Sequence, residues 1–182
     1  VSETLSGLDE IAAGLRNLAA RLWCLSQPWD EWKGADIESH AAAMAHEVDR
    51  LRALVSVHAS DDLAVKIEAA LSLVQNEVKA FHDIPKIIGR KATAWFASAA
   101  DSERCQNALN AAAAEVQAVG IVAGRDWLTH SEVLSVFNMN DGAKLTRLCN
   151  DKVIRCVGSR QDRRIDANSV AKYVIRRDGL QL

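Results

Sequence analysis

The stretch Trp127-Leu128-Thr129-His130-Ser131-Glu132-Val133-Leu134-Ser135-Val136-Phe137, with Asn138-Met139-Asn140-Asp141-Gly142 after it, decides how the rest of the chain is read. Thr129 and Glu132 stand three apart just before Val133, Leu134, Val136 and Phe137. Each side chain can satisfy an amide that the other's turn leaves free, so a helix is expected to start there. Asn138 to Gly142 then breaks the apolar pattern with residues that favour turns and N-caps. Leu145, Leu148 and Cys149 resume it at helical spacing, which predicts a helix, a turn and a second helix.

The period changes after Asn150-Asp151-Lys152. Val153-Ile154-Arg155-Cys156-Val157 is β-branched and apolar, Gly158-Ser159-Arg160-Gln161-Asp162 reads as a turn, and Arg163-Arg164-Ile165 can return as a second strand. Asp166 stands where an N-cap belongs. Val170, Tyr173 and Val174 recur at three and four residues, as the buried stripe of a last helix should. The unit needs only about fifty residues, few for a core of its own but workable if it packs on a neighbour.

Residues 127 to 174 resemble the winged helix-turn-helix domains of the excisionase and MerR-like group. The matching residues are Trp127-Leu128-Thr129, Glu132, Asn140, Leu148, Val153, Val157-Gly158, Arg164-Ile165-Asp166, Ser169-Val170 and Tyr173-Val174. Asn138 and Asp151 stand where the group usually has glycine, and Lys144-Leu145 shifts an apolar position by one. The resemblance covers roughly a quarter of the chain and rests on pattern, not on a catalytic motif. It implies a duplex DNA reader whose second helix enters the major groove and whose wing meets the backbone or the minor groove.

The whole chain has 182 residues, room for one ordinary domain or two small ones, and its 49% hydrophobic and 25% charged residues are those of a globular protein. Two prolines and nine glycines beside abundant alanine point to helices. No apolar run approaches the ~20 residues of a membrane span, and the N-terminus lacks the basic-then-apolar order of a signal peptide. A cytoplasmic protein without membrane contact is expected. Cys24, Cys105, Cys149 and Cys156 form no Cys-x-x-Cys pair, so reduced, buried thiols are expected rather than a zinc or dithiol site. The histidines lack the spacing of di-iron or zincin motifs, so neither a metal nor another cofactor is expected.

Charge divides the chain. Residues 125–182 carry eleven Lys/Arg and seven Asp/Glu, net +4, whereas residues 1–124 carry eleven and seventeen, net −6. A basic module following an acidic one suits a nucleic-acid reader attached to a domain with another task. Before the divide, Leu8, Leu15 and Leu22 repeat every seven residues, and Ile11, Leu18 and Leu25 follow three later, an a/d seam ended by Pro28. A connection with Trp29 and Trp32 leads to a helix from about Asp36 with Ile37, Ala41, Met44, Val48, Leu51 and Val55 on one stripe. After a break at 58–62, Leu63, Ile67, Ala70, Val74, Val78 and Phe81 make a third stripe. Ile88, Ala92, Trp95 and Ala99, then Leu109, Ala112, Val116 and Val119, give one or two more helices, with Ser98 to Ser102 able to cap a fresh one.

The predicted fold class is therefore mainly α: an antiparallel helical bundle over 1–123, divided near Gly120 to Gly124 from a small winged helix-turn-helix domain over 124–182. The seam could serve within the bundle or between two copies, and a homodimer built by the N-terminal helices is expected. No phosphate loop, nucleophile elbow or His-partnered carboxylate pair occurs, so catalysis is not expected. The expected function is sequence-specific binding of double-stranded DNA, as in a bacterial or phage regulator. Lys144, Arg147 and Asn150, three apart on the second helix, would be its exposed candidates in the major groove, where Arg and Asn can read base edges, and Arg160, Gln161, Arg163 and Arg164 would hold phosphates or enter the minor groove. An architectural or plasmid-segregation DNA binder is an open alternative. So is a protein-interaction adaptor that keeps the fold but binds no DNA.

Overall fold

Leucine and isoleucine at three- and four-residue intervals make helix α1 (Ser2–Ser26) one-sided, and the first core forms on that side. The computed structural model describes residues 2–26, 34–83, 99–139, 142–158 and 162–179. Leu8, Ile11, Leu15, Leu18 and Leu22 are all buried inside the single chain. Helix α1 packs against α2 (Gly34–His58) and α4 (Ala99–Val122), while α3 (Asp61–Asp83) packs against α2 and α4. The seam is thus filled by neighbours of the same chain. Each fully buried Leu or Ile there contributes about 1.5–3 kcal/mol to this half.

Of the predicted stripes of the next two helices, Ala41, Met44, Val48, Leu51 and Val55 from α2 and Leu63, Ile67, Ala70, Val74 and Val78 from α3 lie in the same core, and the side chains of Ile37 and Phe81 are outside the described residues. Asp61 and Asp62 occupy the first turn of α3, where carboxylates meet the positive end of the helix dipole. Gly14 sets how close α1 and α2 come, since a Cβ there would lie 2.6 Å from Cδ2 of Leu51. The connection with Pro28, Trp29 and Trp32, and the stripe of Ile88, Ala92 and Trp95, lie outside the described residues.

Helix α4 has two apolar sides. Cys105, Leu109, Ala112, Ala113 and Val116 face the first core, while Ala114, Ala118 and Ile121 belong to a second core. Val119, expected on the buried stripe, is 42% exposed, because it falls between the two packed sides. The helix also runs through Gly120 to Val122, and the chain turns afterwards, with Gly124 at φ 74°.

The second core is completed by α5 (His130–Val136), α6 (Gly142–Asn150), α7 (Ala167–Gly179) and a sheet of β1 (Trp127–Thr129), β2 (Cys156–Val157) and β3 (Arg164–Asp166). The sheet is antiparallel, in the order β1-β3-β2, so the two strands expected from the sequence have become three. Trp127 to Thr129, expected only as the approach to a helix, pairs along β3. Conversely, the strand predicted over 153–157 shrinks to two residues. The amides of Val153 and Ile154 both donate to the carbonyl of Leu148 (3.0 and 3.1 Å), which closes α6 and leaves them no ladder to join. Among the described residues there are seven helices and this one small sheet, and no helix is long and apolar enough to cross a membrane.

Polar contacts tie the two halves together. The Arg16 guanidinium of α1 donates to Oε1 of Gln117 on α4 and pairs with Asp178 of α7 at 3.5 Å. Gln117 in turn donates through Nε2 to the carbonyl of Val136 at the end of α5 (3.2 Å). Helix α4 packs on α7 along the same side.

Candidate nucleic-acid interface

Helix α5 begins where the sequence placed it. The Glu132 amide donates to Oγ1 of Thr129 at 3.3 Å, and the Glu132 carboxylate accepts from the Thr129 amide at 2.7 Å and its hydroxyl at 2.8 Å. These bonds, the amide first, with Arg125 adding its charge, hold the Glu132 carboxyl below the usual carboxylate range. The helix ends on Asn138 at φ 50°, whose amide donates to Ser135 O while that of Met139 reaches back to Leu134 O. This is a Schellman closure. Helix α6 ends the same way, on Lys152 at φ 57°, with Lys152 N donating to Cys149 O and Val153 N to Leu148 O. The left-handed residue at the first closure is thus the Asn138 that stands in a glycine position of the resembled group. At the second it falls on Lys152, one residue beyond Asp151.

Between these closures α6 buries Leu145 and Cys149, half-buries Leu148, and leaves Lys144, Arg147 and Asn150 exposed. None of Lys144, Arg147 or Lys152 has an ion pair among the described residues. Asn140, Asp141, Arg160 and Gln161 lie outside the described residues.

The sheet sorts the remaining arginines by strand parity. Leu128, Ile165 and Cys156 form one cross-strand row, and this row faces the core. Successive residues of a strand point to opposite faces, so Thr129, Arg164 and Val157 form an outward row, and Arg155, one residue before β2, shares its parity. All four are exposed. Arg163 shares the parity of Ile165. It is half-buried, its Nε is buried without a hydrogen-bond partner among the described residues, and its guanidinium lies beside Cys149. The four wing residues expected to act together are therefore not alike: Arg164 faces solvent, Arg163 turns in, and Arg160 and Gln161 are not described. Arg155 was missed, although a period of two counted back from Val157 would have found it. Its backbone is well held, since Arg155 N donates to Oγ of Ser169 (3.0 Å) and its carbonyl accepts from Asp166 N (2.9 Å).

Helix α7 anchors the sheet. Asp166 caps it by accepting the Ser169 amide at Oδ1 (2.7 Å), and the Ser169 hydroxyl donates to the Asp166 carbonyl (2.8 Å). Val170 and Val174 are buried, and the Tyr173 ring meets Phe137 edge-on, centroids 5.4 Å apart. Arg177 stands over the same Phe137 ring and pairs with Asp178, so it is engaged within the protein. Among the described residues no group of three or more His, Cys, Asp or Glu could hold a metal ion. Comparison of the chain with family models, with curated proteins and with solved structures gave no match in any of the three.

Proposed function

We propose that this chain is a sequence-specific binder of double-stranded DNA, in which α5, α6 and the sheet act as a winged helix-turn-helix on an antiparallel bundle of α1 to α4. The observation that carries the reading is the set of exposed cations without ion pairs among the described residues, Lys144 and Arg147 on α6 and Arg155 and Arg164 on the outer sheet face, in the part of the chain with net charge +4. Such cations keep their full charge for phosphates, and Arg147 and Asn150 have the donors and acceptors to read base edges. The proposed role is binding, not catalysis, in the cytoplasm, as a regulator. Selection of bound fragments from random duplex DNA tests it: a recovered motif supports the reading, while no salt-sensitive binding at low ionic strength overturns it.

The homodimer belongs to this proposal in a restricted form. Because the α1 seam is filled within the chain, two copies would meet through outer faces of the N-terminal helices. Light scattering that finds a monomer at about tens of micromolar counts against that assembly. The adaptor reading is favoured by a different observation, Trp127 and Val157 exposed on the sheet face that carries Arg164. Wing substitutions that abolish capture of a protein partner while leaving DNA affinity intact would select it.

A further inference from the structure

Cys149 ends the buried side of α6, and Cys156 packs against the same core from β2, seven residues later. The two thiols are neighbours at this core, close enough for Cys156 to act on Cys149. Arg163, brought to this face by strand parity, places its guanidinium beside Cys149 while its buried Nε has no acceptor among the described residues. A buried donor left unpaired is costly, and an anionic or oxygenated sulfur is the acceptor it lacks. The DNA-reading role makes no use of this group of three.

We infer that Cys149, Cys156 and Arg163 form an oxidative modification site, at which a peroxide converts the two thiols into an intramolecular disulfide between the end of α6 and the wing. Cys156 reacts first because it is half-buried and reachable, whereas burial, together with the neighbouring Cys156, holds Cys149 protonated above the ordinary thiol range against the pull of Arg163. The Cys156 thiolate attacks one oxygen of hydrogen peroxide, the O–O bond breaks, and the departing hydroxide takes a proton and leaves as water. The sulfur is now a sulfenic acid, whose oxygen gives Arg163 Nε its acceptor. The Cys149 sulfur then attacks the Cys156 sulfur. The S–O bond breaks, the hydroxide leaves as a second water with the Cys149 proton, and the S–S bond forms. Two thiols have been oxidised by two electrons, and one peroxide has been reduced to two waters.

The site is separate from the exposed cations, so its test does not depend on DNA. The full chain carrying Cys24→Ser, which removes the exposed thiol, is treated with hydrogen peroxide, alkylated and digested with trypsin. The expected product is fragment 148–152 joined to fragment 156–160 with loss of two hydrogens, reversed by dithiothreitol. With Cys149→Ser added, Cys156 should instead be trapped as a sulfenic acid by dimedone. Arg163→Met should slow the reaction about tenfold, the worth of one hydrogen bond to the sulfenic oxygen, with Arg163→Lys restoring part of the rate. Circular dichroism of each variant establishes that it is folded. Thiols that remain fully alkylatable after peroxide, or a rate no faster in the native chain than in urea, would overturn the inference.

Discussion

The two halves of this molecule use their cations differently. In α1 to α4, Arg50 is held by Glu47 and Glu10, Arg52 by Glu68 and Asp49, Lys66 by Glu115, and Arg104 by Asp101. On α6 and the sheet, Lys144, Arg147, Arg155 and Arg164 stand exposed without ion pairs among the described residues, and Arg125 and Arg177 are paired. Exposed pairs contribute only about 0–1 kcal/mol each, so the contrast matters little for stability. It matters for what the surface can attract. A paired arginine must give up its partner to meet a phosphate, and an unpaired one gives up only water.

The largest effect should come from emptying either of the two cores that α4 joins. Ile121→Ala empties a buried place in the second core and Leu18→Ala one in the first, and each is expected to cost about 2–5 kcal/mol. Because α4 serves both cores, either change should lower one cooperative transition, with circular dichroism and tryptophan fluorescence falling together on heating. Two separated transitions would show that the halves differ in stability as well as in charge.

A smaller effect is expected at the cations themselves. Arg147→Ala should cost about 1–3 kcal/mol on a preferred duplex and relax preference at one or two positions, measured by competition binding. Arg155→Ala and Arg164→Ala should weaken all duplexes alike and each reduce the log–log salt slope by about 0.9. Arg163→Ala should change melting more than the slope, since this side chain turns inward. Arg50→Ala on the paired half should leave the slope untouched, and a changed slope there would erase the contrast between the halves.

The helix cap is expected to give about 1 kcal/mol, the loss on Thr129→Ala in thermal melting. Its pH dependence has a definite sign. The folded Glu132 carboxyl lies below its unfolded value, so its contribution is complete above the unfolded pKa of about 4.3 and is lost as pH falls through the folded one. Glu132→Gln should therefore lose less stability than the parent chain on acidification below about pH 4. The smallest expected change is a gain. Lys152 adopts a left-handed conformation that favours glycine, so Lys152→Gly should stabilise by about 0.5 kcal/mol, with Asn138→Gly closer to neutral because asparagine tolerates that conformation.

What the sequence determined by itself was local: the Thr129–Glu132 cap, the Asp166 cap, the leucine seam of α1, the stripes of α2 and α3, and the exposed run of Lys144, Arg147 and Asn150. Each depends on residues within one or two turns, where spacing and side-chain chemistry suffice. Tertiary structure decided the rest. Ala111 to Ala114 offers no contrast between polar and apolar positions, so the second packed side of α4 was invisible until α7 lay against it. Trp127 to Thr129 became a strand because β3, almost forty residues away, supplied the ladder. Arg163 and Arg164 are adjacent and chemically identical, and only the register that buries Ile165 sends one to the thiols and the other to solvent, because a one-residue shift exchanges the two faces of a strand.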